Sequence, residues 1–540
     1  MSKVAQYLQE HLSGEVIDSS DARHYFSTDG SIFQISPSLI VYPRNENDIR
    51  KIARFSWQLA ERGRTIPLTA RGSGSDQSGA AIGRGMIIVF PAHMNNILEL
   101  NSKSGEVIVE PGLILGKLQQ TLLTHNKYIP TLPESLEYES VGGVIANNAS
   151  GDQSFKFGDI SNYIKSLRVV LANGEIIETK RLSKRELNKK LGLSTFEGEI
   201  YRYIDTLIEE QHEILKKLER GTTKNNSGYN LLDIKQKDGS FDLTPLIAGS
   251  QGTLGIITEA ILSCEDYEPK TSFIVSSFDS IEKLQNAILD LRDLPEKPIS
   301  IELIDQMALK LLSQQNPNHL KDVLPSPYPH FVLLIQNEVK AKKNIKKITK
   351  ILDEFSHSSE YYTEIDDLPR YQKLREAINI LNVHNDGLIH SIPLFDGAVP
   401  PNRLREYIEG IHKIITINNV RSGIWGHIGD ANLFFQPRLN IGQVGDRQKA
   451  FRLIDEHSKL VISLGGTISA AKGDGRLKAP YLDKMYGNDV YGLLSKLKRI
   501  FDPYNILNPG VKFGTNLDDL KAIVRSEYTL NYLYTHLPKS

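Results

Sequence analysis

Cysteine is nearly missing from this chain: 540 residues hold one, Cys264. A lone thiol excludes an intramolecular disulfide, a Cys-ligated zinc site and an iron–sulfur cluster built within this chain, and it suits a reducing compartment. An excess of either charge is missing too. The net charge is −1, so no broad field favours nucleic acid or an anionic membrane. Long apolar runs are also lacking. No run reaches the ~18 residues of a spanning helix, and MIIVF at 86–90 has the length of a strand. The N-terminal MSKVAQYLQEHLSGE has no apolar leader core. These absences set the expectation: a cytoplasmic protein, with room for peripheral attachment at the inner membrane face, no transmembrane segment and no nucleic-acid partner.

What is present is a chain long enough for roughly two to four domains. Residues 1–32 read as a helical, solvent-facing extension. From 33 to 180 short β-type runs alternate with helices. SLIVYPRNENDIRKIARFSWQLA (38–60) is an apolar strand, a proline break, and a helix with an apolar stripe. SLRVVLANGEIIET (166–179) is two strand-like runs around Ala-Asn-Gly, which signals a hairpin. Residues 181–240 read as polar helices with a loop at GTTKNNSGYN. FIVSSF (273–278), HFVLLIQNE (330–338) and GLIHSIPLF (387–395) read as strands of a second α+β unit. Residues 443–535 read as helices with glycine-rich connections. The main boundary is placed near 268.

Glycine concentrates in a few turns. RGSGSDQSG (71–79) lets backbone N–H groups approach a ligand closely, successive N–H groups can form an anion-binding concavity, and Arg71 adds a cation at its entry. It suits a pyrophosphate. Alone, such a stretch reads equally as a surface loop, and it matches neither the P-loop nor G-x-G-x-x-G, so spacing leaves the ligand open. Three further stretches follow: PTLPESLEYESVGGVIANNASGDQSFKFGD (130–159), AGSQGTLGIITEA (248–260) and FDPYNILNPGVKFG (501–514).

Together, in this order, these motifs resemble the vanillyl-alcohol oxidase or PCMH-type FAD-binding flavoproteins. The second half is similar to the FAD-linked oxidase C-terminal domain of D-2-hydroxy-acid dehydrogenases acting on D-lactate, glycolate or D-2-hydroxyglutarate. The likeness runs from about 35 to 514. It implies an α+β fold: a PCMH-type FAD-binding domain of two α/β subdomains (33–268), then an α+β FAD-linked oxidase C-terminal domain (269–540). GGTISAAKGDGRLKAPYLDKMYG (465–487) is similar to members in which the flavin unit is fused to an iron–sulfur unit. One cysteine cannot build such a unit here.

The resemblance implies FAD, held non-covalently, since no histidine lies in 71–79. Arg71, Gly72, Ser73, Gly74, Ser75, Asp76, Ser78 and Gly79 would wrap the diphosphate. Pro133, Ser135, Gly142, Gly143, Asn147, Ala149 and Gly151 would line the flavin and ribityl chain. Gly249, Gly252, Thr253 and Ile257 would sit by the adenine, and Asn508 would touch the flavin from the second domain. Glu134 stands where family members usually have Asp. Asp76 stands where they have a small hydroxyl residue; an acid beside a diphosphate is costly, so Asp76 reads as a cap on the following segment.

For the substrate, the family's Leu-Arg-Glu-Ala motif appears as KLREAIN (373–379). Arg375 would bind a carboxylate through its planar fork; the plain alternative is a surface salt bridge. Tyr229, beside Asn226, is a weaker candidate for that pocket. The family's metal motif, Gly-His-x-Gly-Asp-x-Asn-x-His followed later by Glu-His-Gly, appears as GHIGDANLF (426–434) and AAKGDG (470–475). His427 is kept. Phe434 and Ala471 replace two implied ligands, and Lys472 replaces the implied base. No metal is therefore expected. Lys472 serves as a base only if its pKa drops by several units; it serves equally as a fixed charge in place of the metal, or as a solvated lysine in a site without chemistry. His427 would be structural or proton-handling.

The reading is an FAD-dependent oxidoreductase that oxidises a small 2-hydroxy acid and passes electrons to a quinone, an electron-transfer protein or a separate iron–sulfur subunit. The alternative is an FAD-binding pseudoenzyme or electron-relay subunit. A third possibility is a flavin oxidase for a sugar or aromatic alcohol, since fold does not fix function.

Overall fold

The computed structural model describes residues 2–133, 135–268, 270–321, 323–324, 326–362, 373–375 and 388–529. Glu134 and the 376–379 end of KLREAIN lie outside the described residues.

The unbroken apolar runs LIVY and MIIV become strands Leu39–Tyr42 and Met86–Val89, which pair in parallel, with Leu68–Arg71 on the far side of Met86–Val89. Runs of this kind are buried on both faces. Leu39, Val41, Met86 and Ile88 pack with Ile49, Ile52 and Ala53 of helix Glu46–Glu61, whereas Ile40, Ile87 and Val89 pack with Phe26. Asn45 caps that helix by accepting the Asp48 N–H at 3.1 Å.

The N-terminal segment corrects one expectation. Helices Lys3–His11 and Ser20–Tyr25 form, but Glu15–Ile17 between them is a strand, antiparallel to Leu39–Tyr42. Ala5, Leu8, Leu12 and Val16 join the core of the first sheet. The buried Asp48 carboxylate accepts the Ser13 and Gly14 N–H groups at 2.9 and 3.0 Å. This region is part of the first layer, not an extension from it.

A second, five-stranded antiparallel sheet has the order Ile97–Asn101, Glu106–Val109, Ile256–Ser263, Ile164–Val170, Ile176–Lys180. Its last two strands are the hairpin read around Ala-Asn-Gly, with Gly174 at φ +85° in the turn. A third, seven-stranded antiparallel sheet begins at Thr271–Phe278. It includes Phe331–Glu338, Ser300–Asp305, Ile424–Gly426 and Asn432–Phe435, with helices Ile281–Arg292 and Lys342–Phe355 in contact beside it. Ser300–Asp305 is buried at every position, so it shows no alternation, and pattern reading missed it. Of GLIHSIPLF, His390–Ser391 forms a short strand.

The C-terminal helices Val444–Ser463 and Leu482–Phe501 are present as read. The Asn-Pro-Gly loop beyond them returns to the first sheet. Leu68 donates to Ile506 at 2.7 Å, and Asn508 donates to Leu68 at 2.8 Å. This return brings the two halves of the chain together around one cleft.

Candidate active site

The cleft has about 1040 Å³ of empty space, part of it open to solvent. Four of the glycine-rich or small-residue stretches meet in it. Arg71, Gly72, Ser73, Gly74, Ser75 and Asp76 form one wall, while Pro133, Gly142, Gly143, Asn147 and Ala149 form another. Gly252 and Ile257 arrive from the third stretch, and Lys472 arrives from the second half. Residues that sequence reading missed also line it: Gln77, Pro111, Glu139 and Gln251. Gln77, Glu139 and Gln251 lie within the quoted stretches but are not glycines or small residues, and Pro111 lies in a different loop.

Backbone chemistry dominates the first wall. Among the described residues, the N–H groups of Ser73, Ser75, Asp76 and Gln77 donate to no protein acceptor. Unpaired donors in an indented site suit an anion. Close packing holds the loop. A Cβ on Gly74, at φ +79°, would lie 2.2 Å from the Arg71 guanidinium, and one on Gly142 would lie 2.6 Å from Pro111 Cβ. Unpaired donors on one wall and glycine-only approaches on both are what an FAD diphosphate and ring need, so the residues present fit that cofactor.

Some expected contacts are oriented otherwise. The Arg71 guanidinium donates to the Thr28 carbonyl at 2.7 Å and the Ala81 carbonyl at 3.2 Å, and lies over the Phe26 ring; it organises the loop from behind. Asp76 folds back on its own segment, accepting the Ser78 N–H at 2.9 Å, the Ala80 N–H at 2.7 Å and the Ser78 hydroxyl. Ser78 and Gly79 sit outside the lining. The Ser78 carbonyl accepts the Arg476 N–H at 2.9 Å, and Gly79 abuts Phe33. Asn508 is fully buried, with both amide hydrogens held by the Ala80 and Gln251 carbonyls at 2.8 and 2.9 Å. It joins two cleft loops and does not line the cleft.

Ser135 is also outside the lining and donates to Glu139. The Gly151 N–H bonds the Thr131 carbonyl at 3.1 Å, and Gly249 packs on Asn148. The Thr253 hydroxyl meets the Tyr229 hydroxyl at 2.7 Å. That contact closes Tyr229 into the interior, where burial pushes its phenol far up in pKa.

Lys472 is presented from a turn mounted on one carboxylate. Asp396 accepts the N–H groups of Ala470, Ala471 and Lys472 at 3.2, 3.0 and 2.8 Å, and the Asn432 amide at 3.0 Å. Burial would raise its pKa, but Lys478 and these donors hold it below the usual carboxylate range. The Lys472 ammonium donates to Gln77 Oε1 at 2.7 Å.

Arg375 and His427 lie apart from the lining, in a group of charges. Arg375 is paired with Asp152, which is 4% exposed. His427 Nδ1 faces Glu302 at 2.9 Å, and Phe434 stands edge-on to its ring at 5.4 Å. Burial pulls the His427 pKa down, but the Glu302 carboxylate outweighs it and the pKa stands above the ordinary value. Lys224 and Asp430 form a fully buried pair at 3.1 Å, and Ser154 donates to Asp430 at 2.9 Å. Asn226 links this region to the Lys472 turn through the Asn148 carbonyl at 3.0 Å and the Ala470 carbonyl at 2.6 Å. Among the described residues, no group of three or more His, Cys, Asp or Glu side chains is placed to hold a metal, and no helix is long and apolar enough to cross a membrane.

Comparison with known proteins is consistent with this geometry. Residues 37–180 match the FAD binding domain family, and residues 268–511 match the C-terminal domain of FAD linked oxidases. D-2-hydroxyglutarate dehydrogenase of Escherichia coli (strain K12) is 29% identical over 526 residues, covering 93% of this chain and 50% of that protein. The chain thus spans about half the length of the D-2-hydroxyglutarate dehydrogenases it matches. Glycolate oxidase subunit GlcD of Bacillus subtilis (strain 168) is 27% identical, covering 92% of this chain and 93% of that one. A 4-ethylphenol oxidase from Gulosibacter chungangensis shares the fold with a TM-score of 0.65 at 16% identity, covering 95% of this chain and 97% of that one.

Proposed function

Since the chain belongs to the FAD-linked oxidases and takes FAD as its cofactor, we propose that it oxidises a small 2-hydroxy acid of the D-lactate or D-2-hydroxyglutarate type. One observation carries the reading: a side chain of the second half, the Lys472 ammonium, enters the cleft formed by the glycine loops. Bound FAD supplies a two-electron acceptor for the hydrogen on the hydroxyl-bearing carbon. The loop at 72–77 and the Gly142–Gly143 turn hold it there. Lys472 supplies a positive charge beside the reacting oxygen, where Phe434 and Ala471 stand in place of two ligands of the family's metal motif. The charge favours the alkoxide-like oxygen that develops as the proton leaves. Arg375, oriented by Asp152, is the group suited to the substrate carboxylate. Electrons then leave to an external acceptor.

The test is spectroscopic. FAD-loaded protein mixed anaerobically with D-lactate or D-2-hydroxyglutarate bleaches in the visible, and Lys472→Met slows bleaching by about 10² or more. A protein that stays yellow with every 2-hydroxy acid rejects the reading. It would then favour a second one, an FAD-binding scaffold or electron relay, in which Arg375 and His427 are closed into ion pairs with Asp152 and Glu302 and Lys472→Met changes nothing.

A further inference from the structure

The proposed oxidation needs a proton acceptor, and Lys472, serving as a cation, cannot be one. Four ionisable side chains line the cleft: Arg71, Asp76, Glu139 and Lys472. The Arg71 guanidinium is donor-only and is turned to the Thr28 and Ala81 carbonyls. Asp76 is engaged by two backbone N–H groups and a hydroxyl of its own loop. His427 is outside the lining and bound to Glu302. Glu139 remains. Its Oε1 accepts the Ser135 hydroxyl, and its Oε2 has no hydrogen-bond partner among the described residues.

We propose that Glu139 takes the hydroxyl proton of the substrate, with Lys472 as the fixed cation facing it. This rests on the 2-hydroxy-acid reading above. Glu139 and Lys472 line the same cleft and feel each other electrostatically, with no ion pair between them among the described residues. Burial raises the Glu139 pKa and makes it a better base; Lys472 and the Ser135 hydroxyl offset part of this, and Asp76 adds to it. The Ser135 contact fixes the carboxylate so that Oε2 is the accepting atom. In the step, the substrate O–H bond breaks and the proton passes to Glu139. The C2–H bond would break with both electrons, for which FAD held by the 72–77 loop and the Gly142–Gly143 turn would be the acceptor, and the C–O bond would become a carbonyl. The product is a 2-oxo acid, and Glu139 returns its proton to water.

Rapid anaerobic mixing of wild type, Glu139→Gln and Glu139→Asp with the acid that bleaches wild type tests this across pH 5–9. The expected result for Glu139→Gln is a limiting bleaching rate lower by about 10²–10⁴, the usual range for a lost general base. Its acid limb disappears, while FAD affinity and half-saturating acid concentration stay within threefold. Glu139→Asp recovers part of the rate. A second readout needs no turnover: a pH titration of the bound FAD spectrum shows a step in wild type that is absent in Glu139→Gln. Unchanged bleaching and an intact acid limb in Glu139→Gln, or the same spectral step in both proteins, overturn the role of Glu139 alone. A wild type that no 2-hydroxy acid bleaches overturns the substrate reading as well.

Discussion

Segment 147–154 separates two regions built on opposite plans. On one side Asn147, Ala149 and Ser150 line the cleft, which is made of small residues and unpaired backbone donors. On the other side Asp152 and Ser154 meet a group of charges, Arg375, Lys224, Asp430, Glu302 and His427, held in ion pairs. The first region leaves polar groups open and so is prepared for a ligand. The second pairs Arg375 with Asp152 and Lys224 with Asp430, and so ties the second half of the chain to the first. The difference is one of chemistry: open main-chain donors on one side, and on the other paired side-chain charges in which, among the described residues, Lys224 Nζ and Asp430 Oδ1 lack a hydrogen bond.

The strongest way to break this contrast is to unpair the second region. Asp430→Asn leaves Lys224 buried without its counter-charge. We expect a loss of about 3–5 kcal/mol in chemical denaturation, with FAD content per folded molecule unchanged. Equal loss of FAD would show that the two regions are one. Next, Gly142→Val places a branched side chain against Pro111. FAD affinity should fall at least about tenfold, ~1.4 kcal/mol, in equilibrium titration, and the clash with Pro111 should lower the denaturation midpoint as well.

A pH-dependent effect concerns a histidine with the opposite environment to His427. His457 is buried, hydrogen-bonded to the Tyr407 hydroxyl at 2.9 Å, and burial, then Lys478, push its pKa down to about 3. An unfolded histidine titrates near ~6.5. The neutral ring therefore stabilises the fold above that pH, and the contribution is lost as pH falls toward 3, by at most ~1.4 kcal/mol per unit. Thermal melts of His457→Phe should show a shallower decline than wild type below pH 6.5.

How much of this was legible beforehand follows from the same contrast. The cleft walls were readable because glycine and serine in a turn announce backbone use, and four such turns in order narrowed the fold. Lys472 was readable as a departure from a motif. Asp76 was readable as a cap because an acid near a diphosphate needs another engagement. The inward turn of Arg71, the amide bonds of Asn508 and the burial of Tyr229 were not readable, since each depends on a partner far away in the chain: Thr28, Ala80 and Thr253. Glu139 carried no signal, lying between a motif glycine pair and a proline. The strand at 15–17 hid because three residues are too few to show a period.

Asp396 grips the 470–472 turn through main-chain hydrogens alone, so nothing in that grip reads which side chain stands at 472. The position behaves like a socket with a fixed bearing: histidine, lysine or another head group can be exchanged there while its aim stays constant. A change of reaction chemistry at this point can therefore arise from one codon, without rebuilding the loop that carries it.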